Sequence, residues 1–248
     1  MIFKHKKMKK LIYYSVFLLF LATKATNAQD DRKIRFGLNA APSLAWLKEQ
    51  DKNVKGDGLT LRFKYGLVFD YKFADNFWFG TGLDITYLGG SLNYQYPAYV
   101  KEDEISSASN SNFIKINSAS YTVQYLELPL TVKMKTNEIN NMVYFAQVGL
   151  NNGFRLDAKT KFGSYEKIKT TSDAALIRVA INISGGVEYN LTGTTSLLLG
   201  ITYNNGFTNL LSGNSDFVKL DSKNNGALSD LSTNVRSNYI GLNIGFLF

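Results

Sequence analysis

Charged residues of both signs recur at alternate positions of segments whose remaining positions are apolar. In residues 59–73 the odd positions are apolar or aromatic, and charged residues stand at several of the even ones. Alternate residues of a β-strand share one face, so carboxylates would lie beside ammonium and guanidinium groups, where they could pair, relay protons or guide ions. The candidate charge network comprises Arg62, Lys64, Asp70, Lys72, Asp84, Glu127, Lys133, Arg155, Asp157, Arg178 and Glu188.

Two missing residue types restrict catalysis. The sequence has no cysteine, and its one histidine, His5, lies in the N-terminal segment. The rest of the sequence has neither His nor Cys. It therefore cannot form a histidine general base, a cysteine nucleophile, a Cys/His zinc site or a haem site with His or Cys ligands. A carboxylate pair or a Ser/Lys arrangement has no spacing signature here. We therefore predict no enzyme activity, no catalytic or metal-binding residues and no cofactor.

Residues 1–28 have the layout of a cleaved signal peptide. Five lysines between Lys4 and Lys10 precede an apolar run from Leu11 to Ala22, and small or polar residues follow as far as Ala28. The run is too short for a transmembrane helix, which needs about 20 apolar residues. We predict cleavage after Ala28, which leaves residues 29–248 as one domain; an uncleaved N-terminal anchor is the alternative.

The positive charge of the chain lies mostly in that N-terminal segment. The whole sequence has 28 Lys and Arg against 20 Asp and Glu, and residues 1–28 hold six of the basic residues and none of the acidic ones. The remaining 22 basic residues against 20 acidic ones give a net charge of only +2. A charge so close to zero does not favour nucleic acid as a partner.

Hydrophobic alternation with period two recurs in about eight segments, and the connections between them alternate between long and short. This pattern is typical of a transmembrane barrel with short periplasmic turns and long extracellular loops. We predict an all-β fold, an eight-stranded antiparallel up-and-down transmembrane β-barrel, rather than a soluble β-sandwich. The segments lie near residues 34–47, 59–73, 77–96, 113–134, 142–150, 175–189, 197–207 and 240–248.

The predicted barrel would be lined by the candidate charge network. An eight-stranded barrel has an interior just wide enough for side chains to fill it, so the charges are expected to pair with one another. The alternative is a narrow polar conduit for protons or ions.

The final strand, Tyr239–Phe248, alternates and ends in Phe246 and Phe248. It looks like the last strand by which outer-membrane proteins are recognised for assembly. Together with residues 125–130 (YLELPL), 185–191 (GGVEYNL) and 203–209 (YNNGFTN), it resembles the PorT-like outer-membrane β-barrel family of Bacteroidetes. The resemblance spans nearly all of residues 29–248, and it implies a place in outer-membrane lipid and insertion by the barrel-assembly machinery.

Members of the PorT-like family include a component of type IX secretion, but no residue here carries that role over specifically. We expect a non-enzymatic outer-membrane barrel with a structural or adaptor role, which docks onto a larger envelope or secretion complex. The alternatives are a small pore or transport barrel with a charged lumen, and an envelope enzyme that works without histidine.

Overall fold

A computed structural model describes residues 33–50, 52, 54–101, 113–162, 165–169, 174–192, 194–211, 217–221, 227–230 and 234–248. The predicted signal peptide lies outside these residues and stays a prediction. The described part contains twelve β-strands. In chain order they are β1 (Ile34–Glu49), β2 (Val54–Asp57), β3 (Thr60–Ala74), β4 (Phe77–Lys101), β5 (Phe113–Lys135), β6 (Met142–Phe162), β7 (Tyr165–Lys169), β8 (Ile177–Thr192), β9 (Thr195–Gly206), β10 (Phe217–Asp221), β11 (Ala227–Asp230) and β12 (Val235–Leu247).

The eight long strands form a closed antiparallel barrel. They pair in the order β1, β3, β4, β5, β6, β8, β9 and β12. The barrel closes because β12 also pairs with β1, from Gly37 opposite Leu247 to Glu49 opposite Val235. The predicted fold class is confirmed. Among the residues described, no helix is long and apolar enough to span a membrane.

The outer surface of the barrel is apolar around its girth. On β5, for example, Leu126, Leu128, Leu130, Val132 and Met134 are all exposed, whereas the residues between them face inward and are mostly buried. Water-soluble proteins rarely expose so large an apolar area, so this surface is expected to contact lipid. Aromatic residues near the short turns are exposed as well, at the level where rings favour the membrane interface; they include Tyr71, Phe73, Phe77, Phe79, Tyr189 and Phe246.

The short turns are tight hairpin connections. β3 and β4 are separated by two residues, and between β5 and β6 Asn140 and Asn141 have φ of 50° and 63°. Asparagine tolerates this left-handed conformation better than most residues. Ile139 and Met142 exchange backbone hydrogen bonds of 2.8 and 3.0 Å across the turn. In barrels of this kind the short turns face the periplasm.

β4, β5 and β6 are much longer than a bilayer requires. They have 25, 23 and 21 residues, whereas about 9–11 residues cross the hydrocarbon. The excess lies on the side of the long loops. We call this region, formed by residues 88–101, 113–124 and 157–162, the outer extension.

Four short strands enlarge the outer extension. β2 pairs with β4 at residues 91–94, β10 pairs with β4 at residues 98–100, β11 pairs with β10, and β7 pairs with β6. The sequence pattern treats the segments near 160–173 and 209–235 as polar connections between barrel strands. That interpretation is incomplete, because β7, β10 and β11 lie within them. These strands have only four or five residues, too few for alternation to be recognised.

The sequence suggests irregular strand pairing at two places, at Pro129 and at the glycine pair Gly89-Gly90, and the structure treats them differently. The pairing of β4 with β5 skips Gly82 and Leu83, opposite Pro129 and Leu128, as expected where proline has no N–H to donate. The glycine pair Gly89-Gly90 suggests a bulge. Gly89 has φ of 126° but keeps its register, and the shift in register lies between Asn93 and Ala98 instead.

The absence of cysteine allows the barrel closure to be tested directly. Cysteines that replace Ala40 and Ile244, which lie opposite each other in the closing pair, should form a disulfide when the protein is folded in lipid vesicles, because directly paired residues lie within disulfide reach. The control pair, at Ala40 and Leu242, is two residues out of register. Non-reducing gel mobility is the measurement. A disulfide in the control pair but not in the registered pair would contradict the closure.

Candidate functional site: the charged lumen

Alternation along the strands brings seven of the eleven candidate charges into the barrel interior. Each of these residues is at most 5 % exposed; they are Lys64, Asp70, Asp84, Glu127, Lys133, Arg178 and Glu188. They come from β3, β4, β5 and β8, so the lumen is charged on several sides. The interior contacts divide them into two layers along the barrel.

The lower ion layer, nearer the short turns, consists of Arg35, Asp70, Lys133, Lys135 and Glu188. Glu188 is fully buried and lies 2.7 Å from Arg35 Nη1 and 2.8 Å from Lys135 Nζ. Lys133 Nζ donates to Asp70 Oδ2 and lies 3.7 Å from Glu188. Arg35 also donates a 2.6 Å hydrogen bond to Ser196 Oγ. The layer thus joins β1, β3, β5 and β8 through shared carboxylates.

Aromatic rings contact the two lysines of the lower ion layer. Lys135 Nζ lies 4.3 Å from the centre of the Trp78 ring, and Lys133 Nζ lies 5.4 Å from the centre of the Phe145 ring. A desolvated ammonium over an aromatic face gains about 2 kcal/mol or more from the ring quadrupole. These rings therefore offset part of the desolvation that both lysines undergo.

The central ion layer consists of Lys64, Asp84, Glu127 and Arg178. Lys64 Nζ lies 3.1 Å from Asp84 Oδ2, and Arg178 Nη1 lies 2.9 Å from Glu127 Oε1. Asp84 and Glu127 are opposite each other in the pairing of β4 with β5, so the two ion pairs lie at the same level of the barrel.

Neutral side chains and one main-chain carbonyl complete the hydrogen bonding of Arg178 and Glu127. Arg178 Nη2 donates to Asn204 Oδ1 at 2.6 Å and to the Ser237 carbonyl at 3.0 Å. Glu127 Oε2 accepts hydrogen bonds from Thr86 Oγ1 at 2.9 Å and Asn151 Nδ2 at 3.0 Å. A buried ion pair is tolerated only when such partners satisfy its remaining polar atoms.

The lumen is apolar at its outer end. The side chains that pack there form one buried cluster, which we call the apolar plug; it consists of Ala45, Leu47, Val54, Leu88, Leu92, Tyr94, Ala119, Tyr121, Val123, Tyr125, Ala158, Ala174, Leu210, Leu211, Val235 and Tyr239. Tyr94 and Tyr121 share a 2.8 Å hydrogen bond between their hydroxyls. The plug lies inside the outer extension, above the two ion layers.

The other four candidate charges lie outside the ion layers. Arg62 is half-buried and donates a 2.8 Å hydrogen bond to the Tyr121 carbonyl, beside the apolar plug. Lys72 is half-buried near the end of β3, and Arg155 is half-buried on β6. Asp157 lies 3.0 Å from Lys159, whose side chain is 45 % exposed.

A bulge explains the position of Asp157. Gln124 pairs with Asp157 and Tyr125 pairs with Arg155, which makes Leu156 an extra residue on β6. Beyond it, Ala158 and Thr160 are buried while Lys159 and Lys161 are exposed. The inward-facing residues of β6 therefore have odd numbers before the bulge and even numbers after it. Uninterrupted alternation places Asp157 inward, whereas the bulge turns it outward.

Sequence reasoning missed two charges of the lower ion layer, Arg35 and Lys135. Both follow the alternation that identified the others. Arg35 lies between the exposed residues Ile34 and Phe36, and Lys135 is two positions after Lys133. The uncharged partners Asn151 and Asn204 carried no comparable signal, because inward amides occur in many strands. Within the described ranges, His, Cys, Asp and Glu form no group of three or more that could hold a metal ion.

The lipid-facing exterior, the closed eight-stranded barrel and the filled polar lumen define an outer-membrane β-barrel protein. The chain belongs to the outer membrane protein beta-barrel domain family, whose model matches residues 27–212. No curated protein matches the sequence.

Solved structures of small outer-membrane barrels are similar to this chain. Neisserial surface protein A of Neisseria has 11 % identity and a TM-score of 0.42, with 86 % of this chain and 96 % of that one covered. OprG from Pseudomonas aeruginosa has 13 % identity and a TM-score of 0.46, with coverages of 87 % and 94 %. Ail of Yersinia pestis, in complex with a heparin analogue, has 12 % identity and a TM-score of 0.40, with coverages of 88 % and 100 %. Such likeness concerns the fold alone.

The central ion layer should be essential for stability. Replacing Glu127 with Gln leaves the buried Arg178 guanidinium without its counter-charge, which is expected to lower the free energy of unfolding by about 3–5 kcal/mol. Urea unfolding in lipid vesicles is the measurement. The matched control is Lys159→Gln, which breaks the ion pair with Asp157 at the surface and should change stability by about 0–1 kcal/mol. Equal effects of the two substitutions would contradict the role assigned to the layer.

Proposed function

We propose that this protein is a non-enzymatic outer-membrane barrel with a structural or adaptor role, which docks through its outer extension onto a larger envelope or secretion complex. The single observation that carries the proposal is the filled lumen. Two ion layers and the apolar plug occupy the interior where a transport barrel would need a path. The resemblance to PorT-like barrels of Bacteroidetes, which include a component of type IX secretion, is compatible with this role but transfers no specific residue.

The apolar plug supports a closed barrel. Leu88 and Leu92 on β4 and Val235 on β12 are completely buried, and Leu47 is 3 % exposed. An ion that crossed this layer would have to give up most of its hydration, because tyrosine hydroxyls are the only polar side-chain groups of the plug, and this loss is strongly unfavourable. Conduction would therefore require the plug to move.

The outer extension supports docking. On its outer surface Asn93, Gln95, Lys159 and Lys161 are exposed, in contrast to the leucine and valine side chains lower on the same strands. A rigid sheet that rises beyond the bilayer with a polar exterior offers main-chain and side-chain groups to a partner.

One observation favours the second candidate, a small pore or transport barrel. A cavity of about 60 Å³ lies inside the barrel, with Lys64 and Asp84 of the central layer and Asp70 and Lys133 of the lower layer among its lining residues. A polar cavity between charged layers is what a narrow ion path would need at its middle.

Conductance separates the two candidates. The purified protein, inserted in planar bilayers, is expected to be electrically silent, because the apolar plug and the paired charges leave no hydrated path. Arg62→Ala is expected to be silent too. A steady conductance that is abolished by changing Arg62 or Glu127 would instead establish the pore.

Docking can be tested in intact cells by site-specific photo-crosslinking. A photoreactive residue in place of Lys159 on the outer extension should form an adduct with an envelope protein, whereas the same residue in place of Leu128, which faces lipid, should form none. Asn93, exposed on β4, provides a second position on the extension. Failure to capture protein at both Lys159 and Asn93 would contradict the adaptor role.

A further inference from the structure

The cavity between the two ion layers is surrounded by side-chain oxygens that accept no hydrogen bond. Four such oxygens belong to residues that line it: Oδ1 of Asn39, Asp70, Asp84 and Asn243. Asp70 and Asp84 are 1 % and 2 % exposed. In each aspartate the other oxygen, Oδ2, is bonded to a lysine. An acceptor left unsatisfied in a buried site costs about 1–3 kcal/mol, so four around one cavity point to a hydrogen-bond donor within it.

The number of acceptors sets the amount of water that the cavity needs, and the cavity volume is large enough for it. Two water molecules carry four O–H groups, one for each orphaned oxygen. A cavity of about 60 Å³ has room for these two waters, because a single water molecule needs at least about 10–15 Å³ of such space. Apolar cavities of this size stay dry, but a site with several convergent polar groups retains water.

Charge balance distinguishes water from a cation. The cavity is lined by two carboxylates, Asp70 and Asp84, and by two ammonium groups, Lys133 and Lys64, that already pair with them. A monovalent cation would therefore bring an uncompensated charge into a buried site, where the penalty is large. Water donates to the same oxygens without that penalty.

We propose that this cavity is a structural water site, in which two water molecules bridge Asn39, Asp70, Asp84 and Asn243 and so link the lower ion layer to the central one. Water thereby satisfies the acceptors that the lysines leave free. The site makes the two layers one hydrogen-bonded unit, independent of whether the barrel docks to a partner or conducts.

The direct test is magnetisation transfer from water to backbone amides, measured by NMR on the full protein in lipid nanodiscs. Transfer is expected at Gly80 and Thr131, which line the cavity. The amides of Leu92 and Val123, in the apolar plug, are the matched control and should show none. The absence of transfer at both Gly80 and Thr131 would mean a dry cavity and would overturn the proposal.

Two substitutions test the site through the urea midpoint of unfolding. Val68→Leu adds a methylene to the cavity wall, and Asn243→Leu removes one oxygen while keeping the branching at Cγ. Displacing bound water should lower the midpoint and abolish transfer at Gly80, whereas filling a dry cavity should raise the midpoint. Val132→Leu adds the same methylene on the lipid face and is the control. A raised midpoint for both lumen variants would contradict the proposal.

A cation in the cavity has a separate signature. Unfolding is measured in sodium chloride and in choline chloride at equal ionic strength. Equal midpoints are expected, since water occupies the site in both salts. A saturable stabilisation by sodium that choline does not reproduce, and that Asp84→Asn removes, would show a cation site instead of the water site.

Discussion

The requirement that every buried charge has a partner governs the interior of this barrel. Lipid demands an apolar exterior, and alternation then sends the polar residues of each strand inward. An eight-stranded barrel has room for side chains but little room for bulk water, so the inward charges can remain ionised only in contact with opposite charges. Glu188 illustrates the result, because one carboxylate contacts the three cations Arg35, Lys133 and Lys135.

Above the membrane, the same strands need a polar exterior and an apolar interior. Around Glu127 on β5 the exterior is apolar and the interior is ionic, whereas around Val123, four residues away, the interior is apolar. The outer extension is thus built like a water-soluble protein, with its apolar residues inside. This inversion within one strand is why a single barrel contains both an ionic section and an apolar plug, and it favours a closed lumen.

The exterior of the barrel was predictable from the sequence, but much of the interior was not. Period-two alternation is local, so it identified the lipid-facing residues of β5 and seven buried charges. The partner of each charge depends on the register between strands, which joins residues as distant as Glu127 and Arg178, 51 positions apart. The bulge at Leu156 could not be predicted from the sequence. One extra residue shifts the inward-facing positions from odd to even numbers, and the alternation continues directly after it.

That bulge also affects how this protein can change over evolutionary time. A residue inserted into or deleted from a regular transmembrane strand exchanges the faces of everything beyond it, so changes in length there are tolerated in pairs. The bulge on β6 already accommodates one unpaired residue at the boundary between membrane and solvent. Above Leu156 the strand follows its own phase, so the outer extension can diverge in sequence under the rules of a soluble protein while the section below remains constrained by lipid.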